Sequence, residues 1–421
     1  MMEGNLYRAI CKRVVVAGLL CALGFLGGSA FARGSEEASA TGWSQSAVLP
    51  EGVDINGLRV LEDTTGSATL EQVLEQRDRF QEVKVKTPNY RYTTSAYWFH
   101  MTAKNRRSEP VRLYLDIKHT LMDYVTLYVM GRDNRREIVH TGDRMAGRDR
   151  PYPAATCVLP FHLEAGESAD LYFRIRADAS VILVPVEVLD ENAMRASVFT
   201  RRLLHGAMLG LFGALFFYNL FVYLLLRERT YLYYVVYLLF AYLSMSSLDG
   251  FGSIFIYTGT TWPSNEGLMV FAGITFALIL QFTREFLRTG KHSRLDLCLK
   301  IMIGINVFLS LSPLLMPIQL AYRLMTLMTF VFPTVSMAVG IIAWRQGKRE
   351  ARFYILGQAA SWISLLAFGL VISDVLPFHM FHNDSISMGI SADALLLSFA
   401  LADRIRILQE DRRKAEIEAR R

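Results

Sequence analysis

The chain lacks the short motifs that carry most soluble chemistry. Across 421 residues there is no GxxxxGK[ST], no HExxH, no CxxC and no GxSxG, so phosphate-loop, zinc-protease, thiol-redox and nucleophile-elbow chemistry have no foothold. Its single GxG, Gly250 with Gly252, sits between two apolar stretches and not between a strand and a helix. Cysteine is scarce, with four in all. Cys11 and Cys21 fall in the N-terminal leader and only Cys157 and Cys298 lie beyond it, which excludes an intramolecular disulfide framework and a thiolate metal site. Ionisable residues are also nearly missing from the long apolar runs: at depth there is only Asp393.

What is abundant is apolar surface. Hydrophobic residues make up 52% and aromatics 12%, too much for a soluble protein of this size, so the chain is largely membrane. The net charge of +6 does not point to nucleic acid, because the basic residues follow topology and form no single basic face. At the N-terminus, Arg8, Lys12 and Arg13 precede about fifteen apolar residues, and Ala30 and Ala32 complete a small-x-small site. This pattern predicts a secretory signal peptide over 1–32.

From 44 to 195 the register changes to short alternating runs. YWFHMTAK, VRLYLDIK, YVTLYVM, DLYFRIRA and VILVPVEVL place β-branched and aromatic residues at a spacing near two, with turn-rich segments between them. Five or more such strands predict an antiparallel sandwich. TLEQVLEQRDRF ahead of them reads as a helix.

Over 200–403 follow seven apolar stretches, at 204–226, 231–248, 267–287, 297–316, 320–344, 353–373 and 385–403. Each is near the length that crosses ~30 Å of hydrocarbon. Seven crossings from an exported N-terminus leave the C-terminus in the cytoplasm. Eighteen Lys and Arg lie on the side this assigns to the cytoplasm, against Arg323 alone on the other, as the positive-inside rule expects. The last part, 404–421, reads as a short cytoplasmic helix.

Candidate site residues fall into two groups. In the sandwich, the aromatic rings of Trp43, Tyr90, Tyr92, Tyr97 and Trp98 could stack on sugars, and Arg144, Arg148 and Arg150 could hold an anion. Strand alternation puts Tyr97 and Phe99 on one side and Trp98 on the other, so at least one set belongs to the core. In the membrane, Asp393 is costly unless it finds a partner or is protonated. It reads as a polar latch between helices, with Asn219, Gln281, Asn306 and Gln358 as available partners. His379, His382 and Asp384 in HMFHND are too few to predict a metal. No cofactor is expected.

Taken together in order, YWFHMTAKN, VRLYLDIKHTLMDYVTLYVMG, GDRMAGRDRPYP and PFHLEAGESADLYFRIRADASVILVPVEV resemble the type-2 periplasmic domain of the bacterial seven-transmembrane receptors with diverse intracellular signalling modules (7TMR-DISM). RTYLYYVVYLLFAYLSMSSLDGFG, FTREFLRT, ARFYILGQ and LLLSFALADRIR resemble the membrane half of the same family. The resemblance implies an all-β, jelly-roll-like periplasmic sandwich akin to carbohydrate-binding modules, followed by an all-α seven-helix bundle. In the family the last span usually continues into a histidine kinase, a diguanylate cyclase or a phosphatase. Here seventeen residues follow Arg404, so such an output is expected from a separate protein.

The expectation is therefore a non-enzymatic receptor of the bacterial inner membrane. It senses a periplasmic ligand, a glycan or a protein, and signals to a cytoplasmic partner such as a histidine kinase or diguanylate cyclase, with a homodimer as one arrangement. Nucleic acid is not an expected partner. Two rivals remain: an ion-coupled transporter using Asp393, and a scaffold whose spans merely anchor a periplasmic binding domain.

Overall fold

A computed structural model describes residues 49–420 except 86, 132–135, 179, 292 and 373–381. The expected signal peptide, Trp43 and His379 lie outside the described residues, as does the side chain of His382.

The β-rich part holds eleven strands among the described residues: β1 (Val53–Asp63), β2 (Gln81–Glu82), β3 (Asn89–Arg91), β4 (Ala96–Asn105), β5 (Val111–Ile117), β6 (Tyr124–Met130), β7 (Arg136–Thr141), β8 (Cys157–Leu163), β9 (Ser168–Arg176), β10 (Ile182–Leu183) and β11 (Val186–Leu189). A six-stranded antiparallel sheet runs β2-β1-β4-β9-β6-β7 and faces a three-stranded sheet, β11-β5-β8, while β10 and β3 form a small third pair. Period-two alternation explains the packing. Tyr97, Phe99, Met101 and Ala103 on β4 and Leu171, Phe173 and Ile175 on β9 meet Leu113, Leu115, Leu159 and Phe161 of the opposing sheet in one buried core.

The outer face of β4 is covered as well. Leu70 and Val73 of a short helix, Leu70–Leu74, close over Trp98, Leu61 and Tyr172. That helix starts at a capping box, in which Thr69 and Gln72 exchange side-chain and backbone hydrogen bonds.

Seven long helices follow among the described residues: α1 (Glu191–Leu226), α2 (Arg229–Leu248), α3 (Glu266–Phe286), α4 (Ser293–Ser310), α5 (Ile318–Arg345), α6 (Ala351–Ile372) and α7 (His382–Arg420). Six of them are long and apolar enough to cross a membrane, α4 being the exception. Arg294, Asp296 and Lys300 occupy its first turns, and the apolar run 297–316 is interrupted after Ser310, where Pro313 lies in a separate short helix, Ser312–Leu315. At ~1.5 Å per residue its eighteen residues still span ~27 Å.

The two parts are joined without a linker. β11 ends at Leu189, and Asp190 caps α1, its Oδ1 accepting from the Ala193 amide at 2.7 Å. Met194 in the first turn of α1 is fully buried against Tyr114, Val158 and Leu189 of the sandwich.

Candidate functional site

The loop after β7 seats the sandwich on the bundle. Gly142 takes a φ of +145°, a conformation suited to glycine, and an added Cβ there would fall 2.2 Å from the Asp123 carbonyl oxygen. Beyond it, Arg144 bridges the two parts: Nε donates to Asp123 Oδ1 at 3.0 Å and Nη1 to Glu266 Oε1 on α3 at 2.7 Å. The Arg148 amide donates to the Thr258 carbonyl at 3.1 Å, and Asn265 Nδ2 donates to the Asp143 carbonyl at 3.1 Å. Arg150 is buried, with Nη1 donating to the carbonyls of Ala154 and Ala155.

The electrostatics of the loop follow from burial. Burial and the neighbouring Asp123 carboxylate push the Asp143 carboxyl well above the usual range, opposed by Arg150 and Arg144. Hydrogen bonds to Glu266, with the charges of Glu266 and Asp123, outweigh burial and raise the Arg144 guanidinium.

These contacts give the expected anion-binding arginines a different placement. Arg144 is committed to two carboxylates and Arg150 to backbone carbonyls, whereas the Arg148 side chain is 67% exposed. The expected sugar-stacking rings are also occupied. Trp98 is fully buried under the short helix and stacks on Tyr128 at 5.5 Å, and Tyr97 stacks on Tyr90 at 3.9 Å inside the core. Both faces of β4 are covered, so a ligand reaches neither ring without opening the sandwich. Tyr92 instead reaches the bundle, its hydroxyl 3.3 Å from Thr326 Oγ1 on α5.

A second constellation holds the last helix at three levels. At the sandwich end, Asp384 Oδ1 lies 3.3 Å from Arg201 Nη2 and 3.2 Å from His205 Nε2, both on α1. His205 Nδ1 is 3.2 Å from Asp249 Oδ2, which also accepts from Ser387 Oγ at 3.1 Å. The Nε2 contact has ion-pair distance without hydrogen-bond alignment. Nine residues on, two and a half helical turns, Asp393 faces other partners: it accepts from Tyr237 Oη of α2 at 3.1 Å and from Gln358 Nε2 of α6 at 3.0 Å. Ten residues further, Asp403 accepts from Arg352 Nη2 of α6 at 2.8 and 3.0 Å.

Of the four amides that could meet Asp393, Gln358 is the one that does. Asn219 donates instead to Ser398 Oγ and the Leu215 carbonyl, Asn306 to the Met302 carbonyl, and Gln281 bonds Arg284 near the far end of α3. A row of tyrosines adds to these contacts. Tyr231, Tyr234 and Tyr237, three residues apart on α2, donate to Leu401 O, Ala394 O and Asp393 Oδ2 of α7. Their spacing in RTYLYYVVYLL is the sequence signal, since positions three apart share a helix face. Among the described residues no cluster could hold a metal.

A membrane-embedded helix bundle capped by a β-sandwich, joined to it by a half-buried ion pair and by hydrogen bonds across the junction, is the architecture of a multi-pass membrane protein with an extracellular domain. Comparison with family models agrees. Residues 56–190 match the 7TMR-DISM extracellular 2 family and residues 201–404 match the 7TM diverse intracellular signalling family. The chain belongs to the 7TMR-DISM receptors. No curated protein matches it.

Proposed function

We propose that this chain is a non-enzymatic receptor of the bacterial inner membrane. A signal peptide over 1–32 exports the sandwich, 44–195, to the periplasm. The bundle, 200–403, carries the signal across, and the tail, 404–421, delivers it in the cytoplasm to a separate partner such as a histidine kinase or diguanylate cyclase. Asp393 is the polar latch that distinguishes two packings of the bundle.

One observation carries this reading: α7 is a single helix of 39 residues, His382–Arg420, ~58 Å long at ~1.5 Å per residue. Its first turn is ion-paired to α1, which grows out of the last strand of the sandwich, and its last turns extend beyond the apolar span ending at Ile407. A shift of the sandwich against the bundle therefore reaches the tail through one rigid element. A ligand drives such a shift only by binding the two packings unequally.

Spin labels at Arg349 and Lys414, both exposed, test it. Asp384→Asn weakens the contact to Arg201 and His205 and should change the distance distribution between the labels. An unchanged distribution in Asp384→Asn and in Asp393→Asn would remove α7 from the transmission path. Reporter fusions after Arg421 should place the tail opposite the sandwich.

A further inference from the structure

We propose that the cleft between the sandwich and the first turns of α5 binds a small zwitterion, with its anionic group on Arg323 and its ammonium on Asp178. The proposal supplies the ligand class for the receptor reading above and rests on that reading for its biological meaning.

The cleft has a volume of about 350 Å³ and is walled by Tyr92, Thr94 and Asp178 from the sandwich and by Gln319 and Arg323 from α5. That volume lies at the lower end of the ~300–1,000 Å³ typical of small-molecule sites. Another cavity between sandwich and bundle, beside His205, holds only about 30 Å³, room for roughly one water.

Arg323 is the sole Lys or Arg in the loops and helix ends 248–266, 316–323 and 374–384. Among the described residues its guanidinium has no carboxylate partner and lies over the Tyr92 ring, 5.8 Å from the centroid. A guanidinium held this way keeps its planar fork of donors for a carboxylate or phosphate. Gln319 lies one turn earlier on the same face of α5 and adds an amide.

Asp178 sets the second half of the chemistry. Its Oδ1 lies 3.2 Å from Arg176 Nη2, and both side chains are more than a third exposed. A carboxylate in the same cleft repels a simple anion but favours a ligand that also carries an ammonium. The cleft therefore favours a zwitterion whose ammonium shares the Asp178 carboxylate with Arg176.

The cleft also has the right place for a sensor. One wall moves with the sandwich and the other with the bundle, so affinity depends on how the two are seated. The Asp178 amide donates to Asp123 Oδ2 at 2.7 Å, and Asp123 Oδ1 accepts from Arg144, the residue that grips Glu266 on α3. A ligand held by Asp178 thus touches the wall that bears the bridging ion pair.

Two sources offer this chemistry: a free α-amino acid, and the phosphoethanolamine headgroup of a lipid, since α5 starts an apolar helix. The test uses the full chain. In uncharged maltoside micelles, a panel of free α-amino acids is titrated by calorimetry. In nanodiscs, retention of phosphatidylethanolamine is compared with phosphatidylglycerol, which lacks the ammonium, by native mass spectrometry. Binding in either arm, weakened at least about ten-fold by Arg323→Gln and by Asp178→Asn, supports the site and identifies the source. Arg323→Lys, which keeps the charge and loses the fork, should fall between.

Binding in neither arm, or binding indifferent to Arg323→Gln in a variant that melts as wild type does, overturns the site. Binding that leaves the Arg349–Lys414 distances unmoved overturns the receptor reading and leaves the site standing. Tail movement in Asp384→Asn without binding in either arm does the reverse.

Discussion

Replacing Arg144 with methionine keeps the aliphatic stem and removes the cation that Asp123 and Glu266 share. The lost contacts are Nε to Asp123 Oδ1 at 3.0 Å and Nη1 to Glu266 Oε1 at 2.7 Å. A hydrogen bond involving a charged group contributes about 1.5–3 kcal/mol. Arg144 and Glu266 are 22% and 29% exposed while Asp123 is only 6% exposed. Solvent screening therefore brings the pair of contacts to roughly 2–3 kcal/mol. That energy shifts the local opening of the junction by about 30- to 150-fold, at 1.4 kcal/mol per factor of ten. Hydrogen exchange on the full chain in micelles reads it directly. The Arg148 amide, bonded across the junction to the Thr258 carbonyl, should exchange at least about 30-fold faster. Amides of β9 in the sandwich core should not change. An Arg148 amide protected as in the wild type would refute the view that Arg144 clamps the two parts together.

Other expectations follow from the same contacts. Burial beside Asp123 raises the Asp143 carboxyl above its ordinary 3.8, so the folded state binds the proton more tightly. Its stability is intact below that value and declines as pH climbs toward the raised one. Asp143→Asn should abolish this decline and melt higher at neutral pH, and a melting curve against pH with the wild-type slope would contradict it. Tyr237→Phe leaves Asp393 Oδ2 without its donor and should lower stability in detergent by about 1–3 kcal/mol; an unchanged melting temperature would show that the tyrosine is dispensable. At Gly389 an added Cβ would lie 2.4 Å from Ser364 Cβ and Oγ on α6. Gly389→Leu should therefore force α6 and α7 apart, seen as faster exchange of both helices, whereas Gly206→Leu, with nothing within 4 Å, should not.

The periods of the sequence were sufficient for the architecture. Alternation near two marks β4, β5, β6 and β9, and apolar runs mark the seven long helices, because both patterns are imposed locally by which face is buried. Residue roles were less legible because they depend on what covers a surface. Alternation separates Trp98 from Tyr97, but cannot show that a short helix, Leu70–Leu74, buries the outer one. A run of arginines in GDRMAGRDRPYP looks like a ligand surface until Asp123, distant in the chain, and Glu266, in another domain, are brought to Arg144. Asp393 announces itself by its cost in hydrocarbon, yet choosing Gln358 over Asn219 or Asn306 requires the rotation of each helix, which composition does not encode. The Tyr231, Tyr234 and Tyr237 row was readable in principle, hidden only by the number of other aromatics in the same span.

The seat between sandwich and bundle is made by backbone against backbone. A Cβ on Gly147 would sit 1.9 Å from the Ser253 carbonyl oxygen, and one on Gly250 would sit 2.8 Å from that of Ala155. Surfaces this close leave no tolerance for a foreign partner. An engineer who grafts another sensor onto these helices must transplant 142–155 and 248–260 as a matched pair, or the chimera will be two tethered halves in place of one instrument.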